Sequence, residues 1–159
     1  MMDDRKYLFG LIFIFSNRMD TLLQREFNQF DITTNQWFLS AIIDNLFDNP
    51  PTMKEASREM GSSNQNVKQV ALKLEQRGLL ILEKDKRDAR ATRLKLTEDS
   101  YDFWNKIKCE GTEFTKMLFK DIDKEELAVA RSVIQKMLLN INQMDNKGGF
   151  IRGCILKLF

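Results

Sequence analysis

Amide and cationic side chains recur along residues 63–77 and give this segment the clearest chemistry in the chain. On a helix with 100° per residue, Gln65, Gln69 and Gln76 point directly away from the apolar side of the segment. Amide side chains can donate to and accept from adenine in the DNA major groove, while lysine reaches guanine acceptors or phosphate oxygens. The pattern predicts a helix that contacts nucleic acid. The candidate contacts in the major groove are Ser63, Asn64, Gln65, Asn66, Lys68 and Gln69, and those nearer phosphate are Lys73 and Arg77.

A second basic cluster follows in "KDKRDAR", residues 84–90, between the apolar segments "LLILE" and "ATRLKLT". The flanking segments alternate enough to pair as two strands, which predicts a hairpin. An arginine at a hairpin tip can enter the minor groove of DNA, where the negative potential is strongest, and Arg90 is the best candidate. We expect Asp88 to orient an arginine through a charge-assisted hydrogen bond. The alternative is a solvated turn. The candidate DNA contacts of the hairpin are Lys84, Lys86, Arg87 and Arg90, and Arg93 adds a fifth positive charge at its margin.

Two helices joined by a tight turn must position the amide face. Thr52 and Glu55 have the spacing of a capping box at a helix start, and Gly61 ends that helix. One of the two following serines can cap a second helix, which Gly78 stops in a left-handed conformation. The apolar face of the second helix is predicted at Val67, Val70, Ala71 and Leu74.

The order of four segments carries a family resemblance. The segments "QW", "TMKEASREMG", "VKQVALKLEQRGLL" and "DARATRLKLT" resemble the MarR family of winged helix-turn-helix transcription regulators, over roughly residues 5–144. Residues 74–97 are the most specific part, because they keep the family's spacing from the recognition helix to the end of the wing. The chain departs from the pattern in its wing, which lacks the frequent Pro or Gly and has an unusually charged "EKDKRD" run.

The resemblance implies a mainly α fold with a small β-hairpin wing and with N- and C-terminal dimerisation helices. It implies a homodimer whose two winged domains read a pseudo-palindromic operator in double-stranded DNA. It also implies a small, often aromatic effector bound where the winged domain joins the dimer arms. Trp37, Phe38, Phe103 and Trp104 are candidates for lining that pocket. Aromatic residues at helical spacing are more often core residues, so both interpretations stay open.

Charge is unevenly distributed along the chain. The whole sequence of 159 residues has a net charge of +2, with 43% hydrophobic residues that argue against disorder. Residues 52–97 contain eleven Lys or Arg against six Asp or Glu, a net of +5, so the remainder carries −3. A basic region within a nearly neutral chain is typical of phosphate binding.

The segments at either side are helical and apolar. We expect an N-terminal dimerisation helix in residues 1–30, the winged helix-turn-helix region in 31–97, linker and C-terminal dimerisation helices in 98–144, and a basic, apolar tail in 145–159. Periodicity alone favours dimerisation and packing within the subunit about equally, and the resemblance favours the dimer. Thr97 is expected to cap the helix after the wing. We expect the tail to fold back on the dimer.

Several classes of protein are disfavoured by the residue types. The chain has no histidine, no Gly-rich phosphate loop and no nucleophile with a base at recognisable spacing, so we expect no catalysis. Two cysteines 45 residues apart cannot supply a zinc site without carboxylates, so we expect no metal and no cofactor. The apolar run 7–15 is far shorter than the roughly 20 residues of a membrane span, so a cytoplasmic protein without membrane contact is expected.

Cys109 and Cys154 leave one alternative open, peroxide or thiol sensing, because some relatives of this family switch DNA affinity by cysteine oxidation. We favour a buried, inert thiol at Cys109. The expected function is a sequence-specific DNA-binding repressor released by a small effector. The alternatives are a winged-helix module that docks an acidic protein partner, a redox-sensing regulator, and a ligand-binding protein without DNA.

Overall fold

The computed structural model describes residues 3–144 and contains, in that range, six α-helices, one short 3₁₀ helix and one β-hairpin. This confirms the mainly α fold with a hairpin wing. The tail 145–159, and with it the expectation that it folds back on the dimer, lies outside the described residues. In chain order the elements are α1 (Asp4–Phe27), the 3₁₀ helix (Asn28–Phe30), α2 (Thr34–Leu46), α3 (Met53–Glu59), α4 (Asn64–Gln76), β1 (Leu80–Lys84), β2 (Thr92–Leu96), α5 (Ser100–Leu118) and α6 (Lys124–Met144).

The helix-turn-helix is built by the capping residues that the sequence predicts. The Thr52 hydroxyl accepts the amide of Glu55 at 3.2 Å, and the Glu55 carboxylate accepts the amide of Thr52 at 2.7 Å, which completes the capping box of α3. Gly61 and Gly78 have φ of 61° and 69°, in the left-handed region that favours glycine. Ser63 caps α4 by accepting the amide of Asn66 at 3.1 Å. These predictions are confirmed.

Thr97 does not cap α5, and that prediction is wrong. The helix begins three residues later, at Ser100, and its N-cap residue Asp99 makes no side-chain capping bond. The Thr97 hydroxyl instead donates to the carbonyl of Gly78 at 2.7 Å. This bond joins the end of β2 to the turn after α4, so the side chain closes the base of the hairpin.

The wing is an antiparallel pair of strands that pairs Leu80 with Leu96 and Leu82 with Leu94. Its second strand continues the pairing onto the loop between α2 and α3. The amide of Leu94 donates to the carbonyl of Pro51 at 2.8 Å, and Thr52 forms a β-bridge with Arg93. The base of the wing is therefore attached to the start of α3.

One core holds α2, α3, α4 and the wing together. It includes the predicted apolar face of α4, which confirms that prediction, and each fully buried Leu or Val contributes about 1.5–3 kcal/mol relative to exposure. A smaller cluster of Phe27, Ile32 and Ile107 joins α1 and α5 to α2. The main core consists of Leu39, Ile43, Ala56, Val67, Val70, Ala71, Leu74, Leu79, Leu80, Leu94 and Leu96.

The end helices leave large apolar surfaces uncovered in the single chain. On α1, Phe9 is 62% exposed and packs edge to face on Phe13, at 4.9 Å between ring centroids. No side chain of α6 is buried, and Ile134 near its middle is 56% exposed. Packing within the subunit alone, one of the two open expectations, does not account for these helices. No helix of the described part of the chain has the length and hydropathy needed to cross a membrane.

Candidate nucleic-acid interface

The outer face of α4 is polar and exposed along its length. Core packing by Val67, Val70 and Leu74 fixes the rotation of the helix, and this turns Gln65, Lys68, Gln69 and Lys73 to solvent. Gln69 and Lys68 therefore present an amide and an ammonium group that can reach a base edge or a phosphate. The structure thus brings four of the predicted contact residues of α4 together on one exposed surface.

The first turn of α4 is organised by side-chain hydrogen bonds. Asn64 accepts a hydrogen bond from the hydroxyl of Ser57 on α3, and Asn66 donates from Nδ2 to the hydroxyl of Ser62 at 2.7 Å. The hydroxyl of Ser63 is occupied as the cap of the helix. These groups hold the turn between α3 and α4, so contact with DNA by Asn64 or Asn66 would have to use their remaining hydrogen-bonding capacity.

The wing tip, defined here as residues 84–91, carries four exposed cations around one buried carboxylate. The exposed residues include Arg87 and Arg90, while Asp85 is buried. Asp85 Oδ1 accepts the amides of Arg87 and Asp88 at 2.7 and 2.8 Å. The tip is therefore a turn built on Asp85. Its exposed cations are the four predicted DNA contacts Lys84, Lys86, Arg87 and Arg90.

Asp88 accepts a charge-assisted hydrogen bond from the backbone of Arg90 and from no arginine side chain among the described residues, so its role in orienting the Arg90 side chain stays a prediction. Its Oδ1 accepts the backbone amide of Arg90 at 3.0 Å. The carboxylate that pairs with an arginine side chain is Asp85, whose Oδ2 accepts Nε of Arg93. Glu83 lies opposite Arg93 in the hairpin, so the Arg93 side chain reaches diagonally toward the tip to meet Asp85.

The surroundings of Asp85 lower its pKa below the ordinary range of an aspartate. The largest cause is the amide of Asp88, followed by the amide of Arg87 and the hydrogen bond from Arg93, and the partial loss of solvation acts in the opposite direction. The ionised form of Asp85 is the one that accepts these donors. The turn of the wing tip therefore depends on a charged carboxylate.

Arg77 lies at the end of α4, and its exposed side chain contacts neighbouring elements. It donates to the carbonyl oxygens of Phe30 and Asp31 and lies over the Phe103 ring, 5.5 Å from its centroid. Asp31 itself has φ of 54°, so its carbonyl is held in a left-handed turn after the 3₁₀ helix. In this conformation Arg77 clamps α4 to the α1–α2 junction and to α5, and two of its five donors are engaged with backbone carbonyls.

The similarity of this chain to known proteins is a similarity of the whole fold. No family model matches the sequence, and no curated protein is significantly similar to it. Several solved structures of other proteins are similar in fold to this chain. A MarR/EmrR family transcriptional regulator from Acinetobacter sp. ADP1 has a TM-score of 0.79 at 16% identity, over 89% of this chain and 99% of that one. The MepR–DNA complex of S. aureus has a TM-score of 0.73 at 22% identity, over 86% and 97%. The chain has the MarR fold.

A third structure with the MarR fold is the organohalide-sensing regulator RdhR in its 2,4-dichlorophenol-bound form. It has a TM-score of 0.78 at 18% identity, over 92% of this chain and 86% of that one. Proteins this distant share the arrangement of elements, while the residues at their binding surfaces are free to differ. The binding residues of this chain must therefore be argued from its own side chains.

Three of the four candidate pocket aromatics, Trp37, Phe103 and Trp104, pack at the junction of α1, α2 and α5, and Phe38 lies beside Trp37 on α2. All four are half-buried and pack in two pairs, Trp37 with Phe38 at 6.4 Å and Phe103 with Trp104 at 4.9 Å between ring centroids, and Trp37 also packs on Phe27 at 5.4 Å. Nε1 of Trp104 is buried with no partner within the described residues. Two nearby grooves, of about 440 and 470 Å³, are lined by other residues.

Cys109 lies on α5 and is exposed, so the expectation of a buried thiol is wrong. The helical period turns it away from Ile107, which is the buried residue of this part of α5. Cys154 lies outside the described residues. Within residues 3–144, no group of three or more acidic or cysteine side chains is placed to hold a metal ion.

Proposed function

We propose that the chain is a sequence-specific regulator of transcription that binds double-stranded DNA as a homodimer and is released by a small-molecule effector. The observation that carries the proposal is the exposed face of α4, which combines amides and lysines and is followed by a wing whose exposed tip carries four cations. Amides supply base recognition and cations supply phosphate contacts. The likeness in fold to a regulator solved in complex with DNA supports it.

The direction of regulation follows the same proposal. We infer a repressor, in which binding at a pseudo-palindromic operator is relieved when the effector binds. No catalytic activity is assigned, and solved neighbours with this fold are transcriptional regulators. Residues 31–97 form the DNA-reading unit in this proposal, and residues 1–30 and 98–144 form the arms.

A homodimer is supported by the apolar surfaces of α1 and α6. An extended surface with residues such as Phe9, Phe13 and Ile134 exposed is typical of an interface and is costly to leave in water. A second copy of the chain supplies a matching surface, because a two-fold axis pairs each patch with its own copy. The two α4 helices should then lie one helical turn of DNA apart, about 10 base pairs.

An effector site at the junction of arm and winged domain is supported by two observations. Trp37, Phe103 and Trp104 pack against the buried cluster of Phe27, Ile32 and Ile107. Phe38 packs on Trp37, and the unpartnered Nε1 of Trp104 is a donor for a ligand. The similar structure of RdhR contains a bound chlorophenol. Release of DNA requires the effector to prefer one spacing of the two winged domains, since equal affinity for both would shift nothing.

Fluorescence anisotropy with a labelled duplex tests whether the basic surface binds DNA. The affinity of the full chain should fall steeply with salt, because each neutralised phosphate releases condensed counterions. The competing candidate is a winged-helix module for an acidic protein, and polyglutamate of similar charge serves as the competitor. Binding to polyglutamate as tight as binding to duplex, without any preference among duplex sequences, would contradict the proposal.

Oxidation of Cys109 is the other alternative for release. Its exposure on α5 leaves the thiol accessible in the single chain. Under the proposed effector mechanism, Cys109→Ser should bind DNA as the wild type does and should respond to the same small molecule. A variant that no longer releases DNA under peroxide, when the wild type does, would favour redox control.

A further inference from the structure

One guanidinium connects the wing to the loop between α2 and α3. Arg93 on β2 donates from Nε to Asp85 Oδ2 at the wing tip. The same side chain donates from Nη1 to the carbonyl of Pro50 at 2.6 Å. A planar guanidinium can serve both acceptors at once because its donors diverge in a fixed geometry. Arg93 thus spans from the tip of the wing to the backbone before α3.

The acceptor at the tip organises the turn that presents the cations. The side chain of Asp85 is only 6% exposed, and its Oδ1 accepts the amides of Arg87 and Asp88. Its own amide donates to the carbonyl of Ala91 at 3.0 Å, which closes the loop of the hairpin. The position of the backbone at residues 85–91 is therefore tied to one carboxylate, and that carboxylate is tied to Arg93.

The other end of the connection is rigid. The amide of Leu94 donates to Pro51, and Thr52 both bridges to Arg93 and caps α3 through its bonds with Glu55. Helix α3 in turn packs on α4 in the main core through Ala56. A continuous path of hydrogen bonds and packing thus runs from the tip of the wing to the DNA-reading helix.

We propose that Arg93 and Asp85 are positioning residues that hold the basic wing tip in one orientation relative to α3 and α4, so that Arg90 meets DNA at a defined distance from the α4 contacts. The inference rests on the proposed DNA-binding function. A tip without this connection would lose conformational entropy when it binds, and this would weaken the contribution of Arg90. Neither residue has to touch DNA for this effect.

Amide hydrogen exchange, measured by NMR without DNA, tests the connection in the free protein. In Arg93→Gln, the amides of Arg87 and Asp88 should exchange faster than in the wild type, because Asp85 loses the donor that fixes it. Lys95→Gln is the matched control, since it removes an exposed basic side chain from the same strand. Unchanged exchange at residues 87 and 88 in Arg93→Gln would overturn the inference.

A double-mutant cycle with a duplex that the wild type binds tests the effect on DNA binding. If Arg90→Ala weakens the wild type by about tenfold, it should weaken Arg93→Gln by less than about twofold, because a mobile tip no longer presents Arg90 productively. In the Lys95→Gln background the full effect of Arg90 should remain. Losses from Arg90→Ala that are equal in the wild type and in Arg93→Gln would show that Arg93 only stabilises the fold.

A second variant and a stability measurement separate positioning from folding. Asp85→Asn keeps the shape of the side chain but weakens its acceptors, so it should reproduce the loss of coupling to Arg90 if Arg93→Gln fails to fold. Discrimination by α4 between bases should be preserved in both variants, which a general loss of structure would not allow. A wild type that binds no duplex would remove the proposed function, while the exchange experiment would still decide whether Arg93 orders the wing.

Discussion

Gln69 lies near the centre of the exposed face of α4 and has an amide free to bond a base edge. We expect Gln69→Ala to relax specificity at one position of each half-site, with a loss of about 1–3 kcal/mol for the preferred base. Affinities for a set of duplexes with single base changes measure this. Lys86→Ala on the wing tip is the contrasting control, because loss of a phosphate contact should lower affinity evenly and flatten the salt dependence. An equal loss of affinity on every duplex would refute base reading by Gln69.

Asp85 should make the stability of the protein depend on pH. Because the pKa of Asp85 in the folded protein is lowered by the amides of Asp88 and Arg87 and by Arg93, its ionised form stabilises the fold. This contribution is fully present above the ordinary aspartate pKa of about 3.9 and is lost as pH falls through the lower folded value.

The corresponding experiment compares the free energies of unfolding of wild type and Asp85→Asn by denaturant titration at several pH values. The wild type should be the more stable of the two at pH 6, and the difference should shrink below about pH 4, where the carboxylate of the unfolded chain protonates. A difference that stays constant from pH 6 to pH 3 would show that the charge of Asp85 does not stabilise the wing.

At the scale of single residues, the sequence predicted which side chains are exposed on α4 and failed where tertiary contacts decide. Helical periodicity suffices to place Gln69 and Lys68 opposite a buried face. It carries no information on partners distant in sequence, such as the Phe30 carbonyl that receives Arg77 or the Pro50 carbonyl that receives Arg93. The strand register places Arg93 opposite Glu83, so the side-chain contact between Arg93 and Asp85 does not follow from pairing the two predicted strands.

The Arg77 clamp belongs to the scale of secondary-structure elements, because it joins the end of α4 to the 3₁₀ helix and the turn after it and to α5. Arg77→Ala should lower the free energy of unfolding by on the order of 1 kcal/mol, since two carbonyls lose a charged donor and Phe103 loses its cation. Arg77→Lys should restore little of this, because an ammonium group cannot reproduce the forked contact. Denaturant unfolding checks the prediction, with Lys73→Ala as a control on the exposed face of the same helix.

DNA binding separates this clamp from the phosphate contact that the sequence predicted. If Arg77 acts only as a structural clamp, its replacement should leave the slope of log affinity against log salt unchanged. If Arg77 contacts phosphate, its replacement should reduce the size of that slope by about one. An unaltered stability together with a lower slope would contradict the structural role.

The boundaries of the elements were predictable where local chemistry sets them. The caps at Thr52 with Glu55, Gly61 and Gly78 act within a few residues of their own position, and each was predicted. Ser63 also acts locally and was predicted as one of two candidate serines. The role of Thr97 was not predicted correctly, because its hydroxyl donates to the carbonyl of Gly78, nineteen residues away in sequence. A cap can be recognised from sequence only when no distant acceptor competes for the side chain.

Assembly is decided at the scale of the whole molecule, where α1 and α6 expose apolar surface that the single chain does not cover. Ile134→Glu should convert the dimer to monomer at micromolar concentration, because it places a charge in the proposed interface. Lys136→Glu introduces the same residue two positions along α6 and should leave the dimer intact. Sedimentation velocity of both variants measures the change, and a monomeric wild type would contradict the proposed assembly.

The overall fold was predictable because the helix caps, the basic residues and the hairpin pattern follow one another in a defined order along residues 52–97. The dimer was not decided by periodicity, since an apolar stripe on a helix looks the same whether its own chain or a second copy covers it. The exposure of Ile134 on α6 supports the proposal that a second copy covers it.

The central claim is that this chain reads duplex DNA through a two-fold symmetric pair of α4 helices. Selection of duplexes from a random library by the purified full chain tests it most directly. We expect a two-fold symmetric motif whose half-sites are centred about 10 base pairs apart, with an affinity that falls steeply as salt rises. A folded, dimeric protein that enriches no sequence would contradict the claim.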